Sequence, residues 1–108
     1  MFILVSKYFV AKRFTGITLW PFIIVKNRTS IEDAVFMNHE KIHCRQQQEL
    51  LLLLFYVWYV LEFLVRWRQY GTIDLAYRNI SFEKEAYAKE DDLRYLKERK
   101  FCSFLKYI

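Results

Sequence analysis

Apolar and polar positions divide the chain into stretches with different periods. Residues 2 to 26 are rich in Ile, Val, Phe, Tyr and Thr and are punctuated at Gly16. Such residues suit a pleated, half-buried surface. The stretch predicts a strand ending near Arg13, a turn through Thr15-Gly16 and a second strand over "ITLWPFIIVK". Pro21 has no N–H to give a ladder, so the second strand is expected at a sheet edge, at least locally. "NRTSIEDAV" then opens a helix, with Ser30 at the cap and Asp33 three residues on approximating a capping box. Glu32 complements the positive helix end. Neither glycine nor proline follows until Gly71, which stands where a C′ glycine belongs, after Arg66 and Arg68 in the last turn. The pattern allows one helix from about 31 to 69, or a break near Gln46–Gln48. "TIDLAYRN" reads as a connection. Ser81 or Asn79 then caps a second helix, "FEKEAYAKEDDLRYLKERK", whose charges run from acidic to basic along its dipole. The amphipathic tail "FCSFLKYI" is expected to dock.

These elements give an α+β fold, mostly α, in a single domain: a β-hairpin over 1–28, a long helix over 30–70, a second over 79–100 and a docking tail over 101–108. The length of 108 residues leaves room for one core. Hydrophobic residues at 55%, with two glycines and one proline, exclude disorder and favour long regular elements. Small domains are marginally stable, so a metal cross-link or a lipid surface would help this one.

A formal charge of +5 would suit nucleic acid or an anionic membrane surface. The basic residues are scattered, however, and form no face alternating with aromatics, so nucleic-acid binding is not expected. Cys44 and Cys102 have neither ladder nor CxxC spacing and read as free thiols in a reducing compartment. "MFILVSKYFVAKRF" lacks a basic n-region and a small-residue cleavage site, so it does not read as a signal peptide. A cytoplasmic location is expected, with a membrane surface as an alternative partner. That alternative rests on Leu51 to Val65, apolar apart from Glu62. With Leu50 the run is about 16 residues, short of the ~20 a bilayer requires. It reads first as buried core and second as a membrane-surface or short-spanning helix.

Both histidines of the chain fall within "MNHEKIHCRQ", four residues apart. On a helix that spacing puts His39 and His43 on one face, about 6 Å apart along the axis, where two imidazoles can hold one tetrahedral ion. Glu40 sits where its carboxylate can reach a water on that ion. This is the HExxH arrangement, in which two histidines hold Zn²⁺ and the glutamate is the general base. A catalytic zinc takes a third protein ligand, and the same helix cannot supply it. Glu49 is about 240° round and 9 Å further along, and Glu62 about 33 Å away on a straight helix. Glu49 reads as solvated, and Glu62 as snorkelling or paired. Beyond Gly71, Glu83 shares a face with Ala86, Glu90 and Leu93 and borders the inward stripe. Glu85 shares its face with Lys89 and Asp92, a solvated side. Glu83 is the favoured ligand and Glu85 the alternative; Ala86, being small, lets the two helices approach.

"HEKIH…FEKEAY" resembles the gluzincin metallopeptidases, in which the third zinc ligand is the first glutamate of an E-x-x-A-D-like motif. That pattern falls on Glu83-Lys84-Glu85-Ala86. At this length the chain is most similar to the minigluzincins. "HEKIHCRQQQELLLLFYVWYVLEFL" also resembles the membrane-embedded peptidase domain of the antirepressor sensors of β-lactam resistance. The resemblance covers about residues 17 to 95. It implies a zinc-dependent peptidase acting on a peptide or protein, with His39, His43 and Glu83 as ligands and Glu40 as base. It also implies that "GITLWPFII" lines up the substrate backbone. The family aspartate four residues after the ligand, which orients a histidine, is Tyr87 here, a weaker orienter. With no third histidine, Tyr77, Tyr87 or the metal would have to stabilise the oxyanion. The competing expectation is a membrane-associated helical interaction protein whose zinc is structural or vestigial.

Overall fold

In the computed structural model, which describes residues 2–6 and 14–108, three short strands form one sheet. They are β1 (Phe2–Val5), β2 (Gly16–Leu19) and β3 (Phe22–Val25), in the order β1-β3-β2. β1 runs parallel to β3 and β2 antiparallel to it. The strand end expected near Arg13 lies outside the described residues. "ITLWPFIIVK" is two strands rather than one, because the chain reverses at Trp20-Pro21 through a cis peptide bond. A residue without an N–H fits the tip of a tight turn better than any ladder position. Pro21 therefore marks a hairpin tip, while β3 is central and β2 is an edge. A Cβ on Gly16 would lie 2.7 Å from the Phe36 ring, so only glycine lets β2 approach the first helix this closely.

The helices are α1 (Ala34–Glu49), α2 (Leu53–Tyr70), α3 (Ile73–Arg78), α4 (Ser81–Lys89) and α5 (Tyr95–Glu98). Together with the small sheet they make the fold α+β and mostly helical. Asp33, not Ser30, caps α1: its carboxylate accepts from Val35 N and Phe36 N, both at 3.1 Å. Ser30 falls instead in a 3₁₀ turn over Arg28–Glu32.

The long helix breaks three residues later than Gln46–Gln48. Leu51 and Leu52 adopt positive φ, 54° and 62°, and α2 leaves at 112° to α1. Such conformations cost roughly 1–3 kcal/mol each outside glycine and persist only where the surroundings impose them. Gln46 and Gln47 are buried and hydrogen-bonded, which holds α1 helical past them. Gly71 ends α2 with φ 79°, its N–H on Trp67 O at 2.8 Å.

"TIDLAYRN" is not merely a connection, since Thr72 caps α3 by accepting from Leu75 N at 3.3 Å. Six residues are too few to show a helical period. Neither Ser81 nor Asn79 caps α4 with its own side chain. Glu62 of α2 does so from across the fold, accepting from both Ser81 N and Ser81 Oγ. The expected helix over 79–100 stops at Lys89 and resumes as α5. The carbonyls of Lys89, Glu90 and Asp92 converge on the Asn38 amide of α1, at 3.3, 2.8 and 3.0 Å. The acids at 90–92 stand at a helix C-terminus, where the dipole disfavours them.

Two clusters form the core. Ile23, Val25, Met37 and Cys44 join the sheet to α1. Phe55, Ile80, Phe82 and Phe104 join α2, α4 and the tail, which docks as a 3₁₀ turn over Ser103–Tyr107. The run read as buried core is core on one side only: Phe55 is the one buried residue of α2, Leu50, Tyr56, Trp58, Tyr59 and Phe63 pack half-buried against the cluster, and the leucines and valines opposite are exposed. Among the described residues no single helix is long and apolar enough to cross a membrane; α1 and α2 pass that test only as a bent pair.

Candidate metal centre

The helical repeat of α1 puts His39, Glu40 and His43 together, and all three are buried. The imidazoles meet edge to face, with His39 Nε2 and His43 Nε2 3.2 Å apart. From α4, Glu83 brings Oε1 to 3.0 Å from His43 Nε2 and 3.4 Å from His39 Nε2. Buried His39, His43 and Glu83 lie close enough together to bind a metal ion. In a tetrahedral site with bonds of about 2.0–2.1 Å, neighbouring donors are roughly 3.3–3.4 Å apart. The observed triangle has that scale. Two nitrogens and one carboxylate oxygen also match the donor chemistry of a borderline-soft divalent ion.

The electrostatics favour a cation at the same point. Burial pushes the Glu83 carboxyl up, but His43 and His39 outweigh it and hold the group well below the usual carboxylate range. Burial lowers His43, and Glu83 reverses that and raises it to about 9. The two residues thus retain a proton at neutral pH where a metal would otherwise sit.

Each of the three donors is oriented through its far atom. His43 Nδ1 lies 2.8 Å from Gln46 Oε1. Gln46 spends its amide hydrogens on Phe82 O at 3.1 Å and Glu85 Oε1 at 2.9 Å, so its oxygen accepts from His43. His39 Nδ1 lies 3.1 Å from Glu90 Oε2, a second acceptor. Both partners hold an imidazole proton on Nδ1, so that Nε2 is the atom turned toward the candidate metal position. Tyr59 of α2 donates to Glu83 Oε2 at 2.8 Å. The orienting role considered for Tyr87 falls to Glu90, two turns beyond Glu83 on one face of the chain. Tyr87 instead lays its ring against His39, centroids 4.5 Å apart, and its hydroxyl 3.3 Å from that of Tyr77.

Gln46, Glu90 and Tyr59 were missed by sequence reasoning. Gln46 stands three residues after His43 and Glu90 seven after Glu83, spacings that carry a weak signal. Tyr59 carried none, because its place depends on the bend between α1 and α2.

Glu85, the alternative ligand, stands outside this triangle. It is fully buried, but it faces Arg99, which reaches it through Nε and, at 3.0 Å, through Nη2. Tyr95 OH adds a bond at 2.5 Å. Burial raises the Glu85 carboxyl, while Arg99, Tyr95 and Gln46 bring it below its ordinary value. Glu49 is not solvated either, since Arg99 Nη1 holds it at 2.6 Å. His43, Gln46, Glu85, Arg99 and Glu49 form one hydrogen-bonded chain leading away from the metal triangle.

Glu40 Oε2 accepts from Thr18 Oγ1 at 2.5 Å, which ties the carboxylate to the edge strand. Glu40, His43, Glu83 and Tyr77 share a cleft of about 390 Å³ with β2, Phe55 and Tyr59. Burial, followed by the nearby Glu83, pushes the Tyr59 and Tyr77 phenols far up, so both remain hydrogen-bond donors. No protein-family model matches this chain, and neither do the curated proteins or the solved structures with which it was compared.

Proposed function

We propose that this chain is a small zinc metallopeptidase of the gluzincin type. The observation that supports the reading is that two corners of the His39–His43–Glu83 triangle, His43 and Glu83, line one cleft together with Glu40 and β2. His39, His43 and Glu83 would hold the zinc, which when bound supplies a Lewis acid that brings the pKa of a water toward neutrality. Glu40 would be the proton acceptor, its carboxylate held in place by the Thr18 hydroxyl. Tyr77, kept protonated, is the group available to donate to a developing oxyanion. Glu40→Gln tests the reading. Zinc content and thermal stability should stay near wild type, while hydrolysis of a mixed peptide library falls by about 10²–10⁴. A wild type that cleaves nothing, or no faster than Glu40→Gln, would end it.

A second reading rests on α2. Leu53, Leu54, Val57, Val60, Leu61 and Leu64 are 50–72% exposed. At 100° per residue they cover a face about 120° wide. A coiled-coil seam is narrower and bordered by charges, whereas Leu54 and Leu61 border this one. The helix's one acid, Glu62, turns inward to α4. Trp67, Arg68 and Tyr70 close the C-terminal end, the residue types that sit at a lipid headgroup layer. In this reading α2 seats on an anionic bilayer, which suits the charge of +5, and the metal ties a small domain together. Vesicles containing phosphatidylglycerol should carry the protein down on sedimentation, and Leu54→Glu with Leu61→Glu should release it. A dimer in solution that ignores vesicles would give this face to a second copy instead.

A further inference from the structure

Among the described residues no strand pairs with the outer edge of β2, which meets the cleft, and two of that edge's backbone groups are already taken. Within the hairpin, Ile17 faces Ile24 and Leu19 faces Phe22, and Lys26 N donates to Thr15 O at 2.9 Å. Backbone groups alternate between the two sides of a strand. Thr15, Ile17 and Leu19 therefore bond to β3, while Gly16, Thr18 and Trp20 turn their N–H and C=O groups away from it. Gln47, one helical turn past His43 and 2% exposed, meets two of those groups. Its Nε2 donates to Thr18 O at 2.7 Å, and its Oε1 accepts from Trp20 N at 2.7 Å. One side-chain amide thus satisfies the two outward groups flanking Leu19, as the peptide unit of a neighbouring strand would. Thr18 is also the residue whose hydroxyl holds Glu40. The blocked part of the edge consequently begins beside Glu40, and on its Gly16 side the outward groups left to a ligand are those of Gly16 and the Thr18 N–H.

We infer that Gln47 terminates the edge on which substrate pairs, so that the cleft takes short peptides or chain ends and not the middle of a long extended segment. This rests on the peptidase reading and names the substrate class for it. At about 3.3 Å per residue, Gly16 to Thr18 offers roughly 7 Å of pairing edge. Gln47 is a specificity-determining residue here; it touches the strand that positions substrate and not the reacting atoms.

The test uses zinc-loaded Glu40→Gln protein, so that binding is read without turnover, and end-blocked peptides of roughly three to eight residues. With Gln47 intact, affinity should stop rising at about four residues. Gln47→Ala frees Thr18 O and Trp20 N, and the longer peptides should then gain about tenfold from the additional backbone bonds. Because that substitution could loosen the hairpin, amide hydrogen exchange is followed in the Gln47-intact protein as well. Added peptide should slow exchange at Gly16 and Thr18 and leave Trp20, already bonded, unchanged. Equal length dependence with and without Gln47, or new protection at Trp20, overturns the inference while the peptidase reading stands. Binding at no length by either protein, with zinc retained, brings down the peptidase reading and this inference with it.

Discussion

Glu83 and Glu85 are two residues apart on α4, both are buried, and exchanging their roles would change what the chain is. The sharpest prediction is therefore a paired substitution. Glu85→Ala strips Arg99, a guanidinium with no solvent exposure, of its Nε and Nη2 partners and leaves it Glu49 alone. Removing one partner of a buried ion pair costs about 3–5 kcal/mol, because the other charge stays desolvated and underpaired. For a domain near this size each kcal/mol moves Tm by about 4–8 °C, so Glu85→Ala should melt at least about 12 °C lower. The metal triangle is untouched except through Gln46, and outer partners of that kind cost about 10–100-fold in affinity.

Glu83→Ala deletes one of the three donors itself and should cost more than 100-fold in zinc affinity. Its stability cost without metal is smaller. Tyr59 loses an acceptor, worth about 1–3 kcal/mol, and His43 loses the carboxylate that held its proton. Zinc titration against a chromophoric chelator ranks the two variants one way, and thermal unfolding in excess chelator ranks them the other way. If Glu85→Ala loses zinc with its Tm intact, the assignment of ligand and anchor is inverted and the metal centre as described is wrong.

Three further outcomes follow from the same contacts. Glu90→Ala should weaken zinc by about 10–100-fold, since it removes the acceptor on His39 Nδ1, whereas Tyr87→Phe should leave affinity unchanged. Equal losses would return the orienting role to Tyr87. If the triangle holds zinc, the metal must displace the proton that Glu83 keeps on His43 up to about pH 9. Affinity should therefore fall as pH falls, by about tenfold per unit between pH 6.5 and 9, and level off above; a flat profile in chelator competition at several pH values would deny that proton. Gly71→Ala should cost about 1 kcal/mol in denaturant unfolding, because φ is 79° there and open space surrounds the site, so the penalty is backbone alone.

What the sequence carried and what it did not divide at Leu51. Features set within one or two helical turns were legible, such as the face shared by His39 and His43 and the stop at Gly71, whereas Glu85, read as solvated, is fully buried. The three-dimensional partners of those residues were not, because they depend on a 112° bend made by Leu51 and Leu52, leucines in a run of leucines with no glycine or proline to announce it. That bend turns α2 back over α4, which is why Tyr59 reaches Glu83 and why Glu62 caps Ser81. It also leaves Leu53, Leu54, Val57, Val60, Leu61 and Leu64 at the surface, so a stretch that reads as core by composition exposes one apolar side. Arg99 shows the same limit from the other end. A basic residue near a C-terminus reads as solvated, yet here it lies buried between Glu49 and Glu85, fifty and fourteen residues back along the chain. An unbroken helix would set Arg99 about 21 Å along the axis from Glu85, so the two meet only because α4 ends at Lys89. The break between α4 and α5 and the pairing of Glu85 with Arg99 thus go together, and a helical wheel drawn through residue 100 shows neither.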